Sequence, residues 1–150
     1  MKTLVVYESI NGNTEKIAKA IGEAIKEDVR VLSVGTVCSS DLNSIDLLIV
    51  GSPTYGGRPT PGMLDFLKHT VPTSSLKDIS VAAFDTRLTA NWVKMFGFAS
   101  EKIANSLKAN GGTPVLSPQG FYVTGTKGPL KEGEPEHATS WAKEVVKNKK

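Results

Sequence analysis

The sequence predicts an α/β domain built on one parallel sheet with helices on both faces. Strand-like runs alternate with helix-like segments five times along the 150 residues, and such alternation is typical of a parallel sheet. The runs at residues 4–7 and 47–50 are continuously apolar, as expected for strands that are covered on both sides. We find no internal repeat and no linker, so residues 1–150 are interpreted as one domain.

The elements follow one another at ordinary loop lengths. Strands are predicted at residues 4–7, 29–34, 46–51 and 79–84, with a fifth that begins at 113–116 and resumes at 120–123. The fourth strand is predicted to end in a loop that starts at Asp85. Apolar residues at helical spacing predict helices after Gly12, after Pro61, around Ile103 and around Trp141. Asn13 or Thr14 is expected to cap the first of these helices.

Composition excludes several classes of protein. With 39% hydrophobic residues, the chain contains no apolar run near the ~20 residues of a membrane span. The single cysteine, Cys38, cannot form an internal disulfide, and the N-terminus has no charged-then-apolar signal region, so we expect a cytoplasmic protein. The net charge of +3 collects partly in lysines near the C-terminus. The sequence has no basic patch interleaved with aromatic residues, so we expect no binding of nucleic acid.

The loop at residues 9–14 is the first candidate site. It consists of hydroxyl and amide residues with one glycine, and it connects a buried strand to a helix. Backbone N–H groups at a helix N-terminus, together with the helix dipole, favour a phosphate. The loop has neither the Gly-Lys-Thr/Ser motif of nucleoside triphosphate-binding loops nor the G-x-G-x-x-G motif of dinucleotide-binding loops. A small phosphate-bearing cofactor therefore remains as the expected ligand. The alternative is a well-capped turn without a ligand.

Two further polar loops follow strands of the same sheet. Residues 52–61 are crowded with turn formers, and residues 85–87 follow the fourth strand. Ligands of open α/β sheets bind beyond the carboxyl ends of the strands. We therefore expect these loops to meet the 9–14 loop at one edge of the sheet, which favours the ligand-binding interpretation.

At this point the chain resembles a short-chain flavodoxin. Residues 9–14, Ser-Ile-Asn-Gly-Asn-Thr, are similar to the phosphate loop of that family, Thr/Ser-x-Thr-Gly-x-Thr. Residues 51–57, Gly-Ser-Pro-Thr-Tyr-Gly-Gly, resemble the loop beside the flavin, especially in the flavodoxin domains of flavo-diiron proteins. The resemblance implies a flavodoxin-like, doubly wound, five-stranded parallel sheet in the order 2-1-3-4-5, and FMN as the cofactor.

The resemblance also implies which residues bind the cofactor. The side chains of Ser9, Asn11, Asn13 and Thr14, with backbone N–H groups around Gly12, are predicted to hold the FMN phosphate. Tyr55 and Trp92 are candidates to flank the flavin ring, although Trp92 is equally well explained as a loop anchor packed with Phe96 and Phe98. The full set of predicted cofactor-binding residues is Ser9, Ile10, Asn11, Gly12, Asn13, Thr14, Pro53, Thr54, Tyr55, Gly56, Gly57, Asp85, Thr86, Arg87 and Trp92.

The sequence departs from the family pattern at two places. Asn11 stands where a hydroxyl residue is usual, and residues 85–88, Asp-Thr-Arg-Leu, do not match the usual Gly-Asp/Tyr pattern. The flavin-side loops carry Arg58, Arg87 and Lys94 against Asp85, in contrast to the carboxylate-rich surroundings of other flavodoxins. Fixed positive charge stabilises an anion that forms beside it, so the potential of the second electron is predicted to be less negative than in acidic flavodoxins.

The leading functional hypothesis is a non-catalytic FMN electron carrier that shuttles electrons between redox partner proteins, with a monomer favoured. The alternative is an FMN-dependent NAD(P)H or quinone reductase on the same fold, whose substrate site the aromatic 88–98 loop would roof. A response-regulator-like module needs a phosphoacceptor Asp at the end of strand three, where this chain has Gly51 and Ser52. The His, Cys and Asp residues do not occur at the spacing of metal ligands, so no metal site is predicted.

Overall fold

The computed structural model describes residues 1–73, 76–89 and 97–149. The strands are β1 (Thr3–Tyr7), β2 (Val29–Ser33), β3 (Leu47–Pro53), β4 (Ser80–Leu88), β5 (Thr113–Pro114) and β6 (Gln119–Val123). The helices are α1 (Asn13–Ile25), α2 (Pro61–Asp65), α3 (Ala99–Ala109) and α4 (Glu134–Asn148). A π-helical turn, Phe66–Thr70, extends α2, and short 3₁₀ turns lie at Ser39–Leu42 and Val71–Thr73.

The strands form one parallel sheet in the order β2-β1-β3-β4-β5, and β6 also pairs with β4. This confirms the predicted fold and the order 2-1-3-4-5. The predicted fifth strand is divided into two pieces along one edge of β4. β5 pairs with the start of β4 at Ser80 and Val81, and β6 pairs with its end, from Phe84 to Leu88.

Strand β4 is longer than the sequence predicted. Residues 85–87, predicted as a loop, are the last part of the strand and pair with β6 on one side. On the other side, Asp85 and Thr86 are in register with Ser52 and Pro53 of β3. The prediction of a loop was wrong because polar residues occupy a fully paired strand, where neighbouring strands satisfy the backbone.

The sheet divides the apolar core into two layers. Along β1, β3 and β4 successive side chains point to opposite faces, as the period of two requires: for example, Leu48 and Val50 lie on one face and Ile49 on the other. One layer contains the buried residues of α1 and α4, and the other those of α2 and α3. Helices α1 and α3 therefore approach the carboxyl edge of the sheet from opposite faces.

Candidate cofactor site

A cavity of about 280 Å³ opens where the carboxyl ends of β1, β3, β4 and β6 meet. Its walls come from four segments that are distant in sequence and adjacent only because the strands are parallel. The lining residues are Ile10, Asn11, Asn13, Thr14, Pro53, Thr54, Tyr55, Gly56, Gly57, Thr86, Arg87, Leu88, Val123 and Thr126.

The 9–14 loop is held by the hydroxyl of Ser9. Its Oγ accepts hydrogen bonds from the N–H groups of Gly12, at 3.1 Å, and Glu15, at 3.3 Å. Gly12 precedes α1 with a φ of 89°, a left-handed conformation that glycine adopts without strain. Ser9 thus performs the capping that the sequence assigned to Asn13 or Thr14, which are the first residues of the helix itself.

Within the part of the chain that the structure describes, two of the four N–H groups at this helix end have no acceptor and remain for a ligand. The first four N–H groups of an α-helix have no intrahelical acceptor, and Ser9 accepts from those of Gly12 and Glu15. The other two belong to Asn13 and Thr14, which both line the cavity. Their position at the positive end of the α1 dipole makes this wall of the cavity suited to an anion.

Thr14 connects this loop to the end of β4. Its side chain is buried, and its hydroxyl lies 2.8 Å from the hydroxyl of Thr86, which is also buried. Only one of the two hydroxyls donates in that bond, so the other keeps its proton for a further acceptor. Both residues line the cavity, so this remaining hydroxyl can donate a hydrogen bond to an anion bound there.

The loop after β6 covers the 9–14 loop. The Nδ2 atom of Asn13 donates to the carbonyl of Lys127 at 3.2 Å, and that of Asn11 to the carbonyl of Thr126 at 3.4 Å. Gly128 has a φ of 94° and packs so closely that a Cβ there would lie 2.5 Å from Asn13 Nδ2. The amides that the sequence assigned to a phosphate are thus engaged with a neighbouring loop.

Residues 55–58 form a tight turn at another wall of the cavity. Tyr55 and Arg58 exchange two backbone hydrogen bonds, at 2.8 and 2.9 Å. The central residues, Gly56 and Gly57, have φ values of 53° and 79°, as in a type I′ turn. The Tyr55 side chain is 44% exposed at the cavity, so its ring offers an open aromatic surface.

The first turn of helix α3 is attached to the residue that follows β3 and to the last part of β4. The N–H of Ala99 donates to Thr54 Oγ1 at 3.1 Å, and the N–H of Ser100 donates to Asp85 Oδ2 at 2.9 Å. The fully buried Asp85 carboxylate also accepts two bonds from Arg87, at 2.7 and 2.8 Å. The carboxylate therefore joins the end of β4 to the N-terminus of α3.

Arg87 is a paired charge rather than a free one. Besides its two bonds to Asp85, its guanidinium donates to Ser100 Oγ at 3.2 Å and lies 3.5 Å from the centre of the Phe98 ring. The sequence analysis counted Arg87 among the positive charges expected to act on a flavin. The structure corrects this, because residues two apart on a strand share a face and these two neutralise each other.

Two carboxylates near the 9–14 loop have shifted pKa values. Partial burial raises the pKa of Glu8, whose carboxylate is so close to Gly62 that a Cβ there would lie 2.8 Å from its oxygens. The Tyr7 hydroxyl donates to Glu15 at 2.9 Å and, with Lys19, lowers the pKa of Glu15. Burial and the same bond raise the pKa of Tyr7.

Most of the residues predicted from the sequence lie at one site. Ser9 and Gly12 belong to the loop that forms one wall, and Asp85 is directed to Arg87 and α3. Trp92 and Lys94 lie outside the described residues. Eleven of the fifteen residues predicted to bind the cofactor line the cavity: Ile10, Asn11, Asn13, Thr14, Pro53, Thr54, Tyr55, Gly56, Gly57, Thr86 and Arg87. The sequence analysis missed Leu88, Val123 and Thr126.

Together the fold and the cavity define an α/β domain with an anion-ready helix end and an aromatic turn at one sheet edge. Residues 4–115 match the family model described as a flavodoxin domain. Because this match covers well over half of the chain, the protein belongs to the flavodoxin domain family, as the sequence resemblance predicted.

Individual relatives agree with this assignment. The flavodoxin of Maridesulfovibrio salexigens is 34% identical over 89 residues, which cover 55% of this chain and 61% of that protein. The chain therefore spans less than two thirds of this curated relative. Among solved structures, a flavodoxin from the domain Archaea has a TM-score of 0.82 at 26% identity, with both chains covered completely.

A third similar protein was solved with a ligand. The flavodoxin of Fusobacterium nucleatum bound to flavin mononucleotide has a TM-score of 0.76 with this chain at 19% identity, over the full length of both. At that identity the likeness concerns the fold. Within the described residues, no helix is long and apolar enough to cross a membrane, and no group of His, Cys, Asp and Glu is placed to hold a metal ion.

Proposed function

We propose that this protein binds FMN non-covalently and carries single electrons between redox partner proteins. The observation that carries the proposal is the combination, in one cavity, of two helix N-terminal N–H groups at Asn13 and Thr14 with the aromatic and glycine residues of the 55–58 turn. FMN, the cofactor of the family, has a phosphate at one end and an aromatic ring at the other.

The 9–14 loop would hold the phosphate. The N–H groups of Asn13 and Thr14 donate to it, and the hydroxyl pair of Thr14 and Thr86 supplies one further proton. No Lys or Arg lies inside this loop, so dipoles rather than a countercharge stabilise the phosphate. Ser9 acts indirectly because its hydroxyl oxygen keeps the loop in shape.

The 55–58 turn and the end of β4 would enclose the ring. Tyr55 offers a face for stacking, and Leu88 and Val123 provide apolar walls. FMN supplies one-electron chemistry when it is bound, and the chain orients it and limits its contact with water. The neutralised Asp85–Arg87 pair makes Arg58 the remaining basic residue among the described flavin-side positions that the sequence named.

The test is a titration of the purified chain with FMN and with riboflavin, which lacks the phosphate. Thr14→Ala should weaken FMN by about 1–2 kcal/mol, the usual value of a hydrogen bond to a charged group, and leave riboflavin unchanged. Thr14→Ser keeps the hydroxyl and should keep the affinity. Thr139→Ala serves as the matched control. It removes a threonine hydroxyl of α4 that donates to the Pro135 carbonyl and does not line the cavity. Equal affinities of wild type for FMN and riboflavin would contradict the phosphate assignment.

The same preparation separates a carrier from a reductase. A carrier loaded with FMN should not oxidise NADH or NADPH steadily without a partner reductase. Sustained oxidation by the pure protein would favour the reductase alternative. The 88–98 loop on which that alternative depends is mostly outside the described residues.

A further inference from the structure

We propose that Lys102 of α3 is a positioning residue for the 55–58 turn. Its ammonium group donates a hydrogen bond to the carbonyl of Gly57. Lys102 is not among the residues that line the cavity, so this carbonyl is directed at α3. The consequence for a bound flavin rests on the function proposed above, whereas the effect on the turn does not.

The hydrogen bonds of the turn single out one of its peptide units. The unit between Gly57 and Arg58 is held twice, by Lys102 at its carbonyl and by Tyr55 at its N–H. The N–H and the carbonyl of Tyr55 are both bonded to Arg58. Among the described residues, the peptide unit between Gly56 and Gly57 has no hydrogen-bond partner. It is therefore the part of the turn that is left to bond a ligand.

Helix α3 is a firm base for this contact. One turn before Lys102, the N–H groups of Ala99 and Ser100 are bonded to Thr54 and to the buried Asp85. The segment that carries the turn is thus attached to α3 at two points, Thr54 and Gly57. Two attachments fix both the position and the orientation of the turn, whereas one would leave it free to tilt.

A charged donor also strengthens the closing bond of the turn. The ammonium group polarises the Gly57–Arg58 peptide unit, and the N–H of that same unit donates to Tyr55. Hydrogen bonds that share one peptide unit reinforce each other. Loss of Lys102 should therefore weaken the bond between Arg58 and Tyr55, although neither residue is changed.

The first measurement uses the chain without added flavin. Residue-resolved amide hydrogen exchange by NMR reports the opening of the Arg58 N–H. Lys102→Met should accelerate its exchange about fivefold, the effect expected for a charge-assisted bond at an exposed site. Lys102→Arg, which keeps a charged donor, should retain most of the protection. Lys108→Met, in the last turn of the same helix, removes the same charge without touching the turn.

The second measurement compares the two flavins. Because the turn faces the ring and not the phosphate, Lys102→Met should weaken FMN and riboflavin by the same factor, about threefold to fivefold. Thr14→Ala, by contrast, should weaken FMN alone. Lys108→Met should leave both affinities at the wild-type value.

The outcomes are distinguishable. Unchanged Arg58 exchange in Lys102→Met, or an equal change in Lys108→Met, would overturn the assignment of Lys102. If the Arg58 N–H exchanges faster in Lys102→Met but the wild type binds no flavin, the proposed function is refuted and the positioning of the turn by Lys102 is supported. A loss of FMN affinity without a loss of riboflavin affinity would also overturn the assignment.

Discussion

The two ends of the cavity are built in different ways. At the 9–14 loop, side chains make the bonds: Ser9 Oγ accepts from two backbone N–H groups, the Thr14 hydroxyl is bonded to that of Thr86, and the Asn13 amide donates to the Lys127 carbonyl. At the 55–58 turn, the backbone is shaped by two glycines and held from outside by α3. One end is fixed by its own side chains and the other by a neighbouring helix.

This difference indicates different roles for the two ends. In the proposed FMN carrier the phosphate keeps its charge and shape during electron transfer, so a rigid loop whose open donors are the N–H groups of Asn13 and Thr14 suits it. In the same proposal the ring takes up electrons and protons and so changes its hydrogen-bonding groups. A turn in which one peptide unit has no partner among the described residues can respond to that change. The predictions below separate the two ends by their stability, their conformational freedom and their response to pH.

The largest effect is expected at the attachment of α3. Asp85→Ala leaves the Arg87 guanidinium, whose side chain is only 13% exposed, without its carboxylate. Removing one partner of a buried ion pair lowers the free energy of unfolding by about 3 kcal/mol. Urea unfolding measures this loss. Asp65→Ala, at an exposed carboxylate near His69, should change little. The double substitution Asp85→Ala with Arg87→Met should recover part of the loss; a loss below about 1 kcal/mol in the single variant would contradict the structural role.

The two glycines of the turn should respond differently to alanine. An L-residue at positive φ costs roughly 1–2 kcal/mol, and a rotation of the central peptide to a type II′ turn relieves this cost only at Gly57. Rotation reverses the direction of the Gly56 carbonyl, which in the proposed FMN carrier would accept a hydrogen bond from the ring nitrogen that is protonated on reduction. With FMN bound, Gly57→Ala should therefore favour the rotated turn and make the midpoint potential of the first electron less negative. Gly56→Ala should be strained in both turns and shift that potential less. Unchanged potentials in both variants would show that rotation of the peptide between Gly56 and Gly57 does not affect the potential.

The side-chain bonds of the 9–14 loop should differ from each other in strength. Asn13 is buried and bonded to Lys127, so Asn13→Ala should cost about 1 kcal/mol and expose the amides of residues 124–128 to faster exchange. Asn11 is exposed and its bond to Thr126 is longer, so Asn11→Ala should cost much less. Equal losses of stability in urea unfolding would mean that the burial of Asn13 does not matter.

The smallest effect concerns Glu8, which precedes the 9–14 loop and contacts Gly62 of α2. Its pKa is raised by partial burial, so the folded state binds its proton more tightly than the unfolded state. The cost of ionising it is absent below the ordinary carboxyl pKa and grows as the pH rises through the folded value. Glu8→Gln should therefore raise the melting temperature slightly at pH 7 and not at pH 3. A difference independent of pH would contradict this account.

The fold was predictable because it depends on local patterns. Apolar strands alternating with helices specify a parallel sheet, and its carboxyl edge brings the polar loops together wherever they lie in the sequence. The 9–14 loop was recognisable for the same reason, since its residues are contiguous. The extension of β4 through Asp85 was missed because it depends on pairing with β6, a long-range contact.

The rest of the site depends on contacts between distant residues. The amide of Asn13 looks like a phosphate donor in the sequence, and only the position of Lys127 shows that it is engaged. The wall formed by Val123 and Thr126 has no motif of its own. One signal was present but not used: Asp85 and Arg87 are two residues apart on a strand, so opposite charges on one face were to be expected to pair.

The division of the core into two layers bears on how the protein comes apart. Helix α1, whose first residues end the 9–14 loop, belongs to the layer that contains α4, whereas α3, which holds the 55–58 turn, belongs to the opposite layer. Proteins open in cooperative units that are smaller than the whole chain. If the layer of α2 and α3 opened first, the chain would lose the turn that is proposed to hold the ring and would keep the proposed anion site at the N-terminus of α1. Under the proposed function, partial unfolding would then convert a binder of the whole cofactor into a weak binder of its phosphate, and phosphate in the buffer would protect the α1 layer alone.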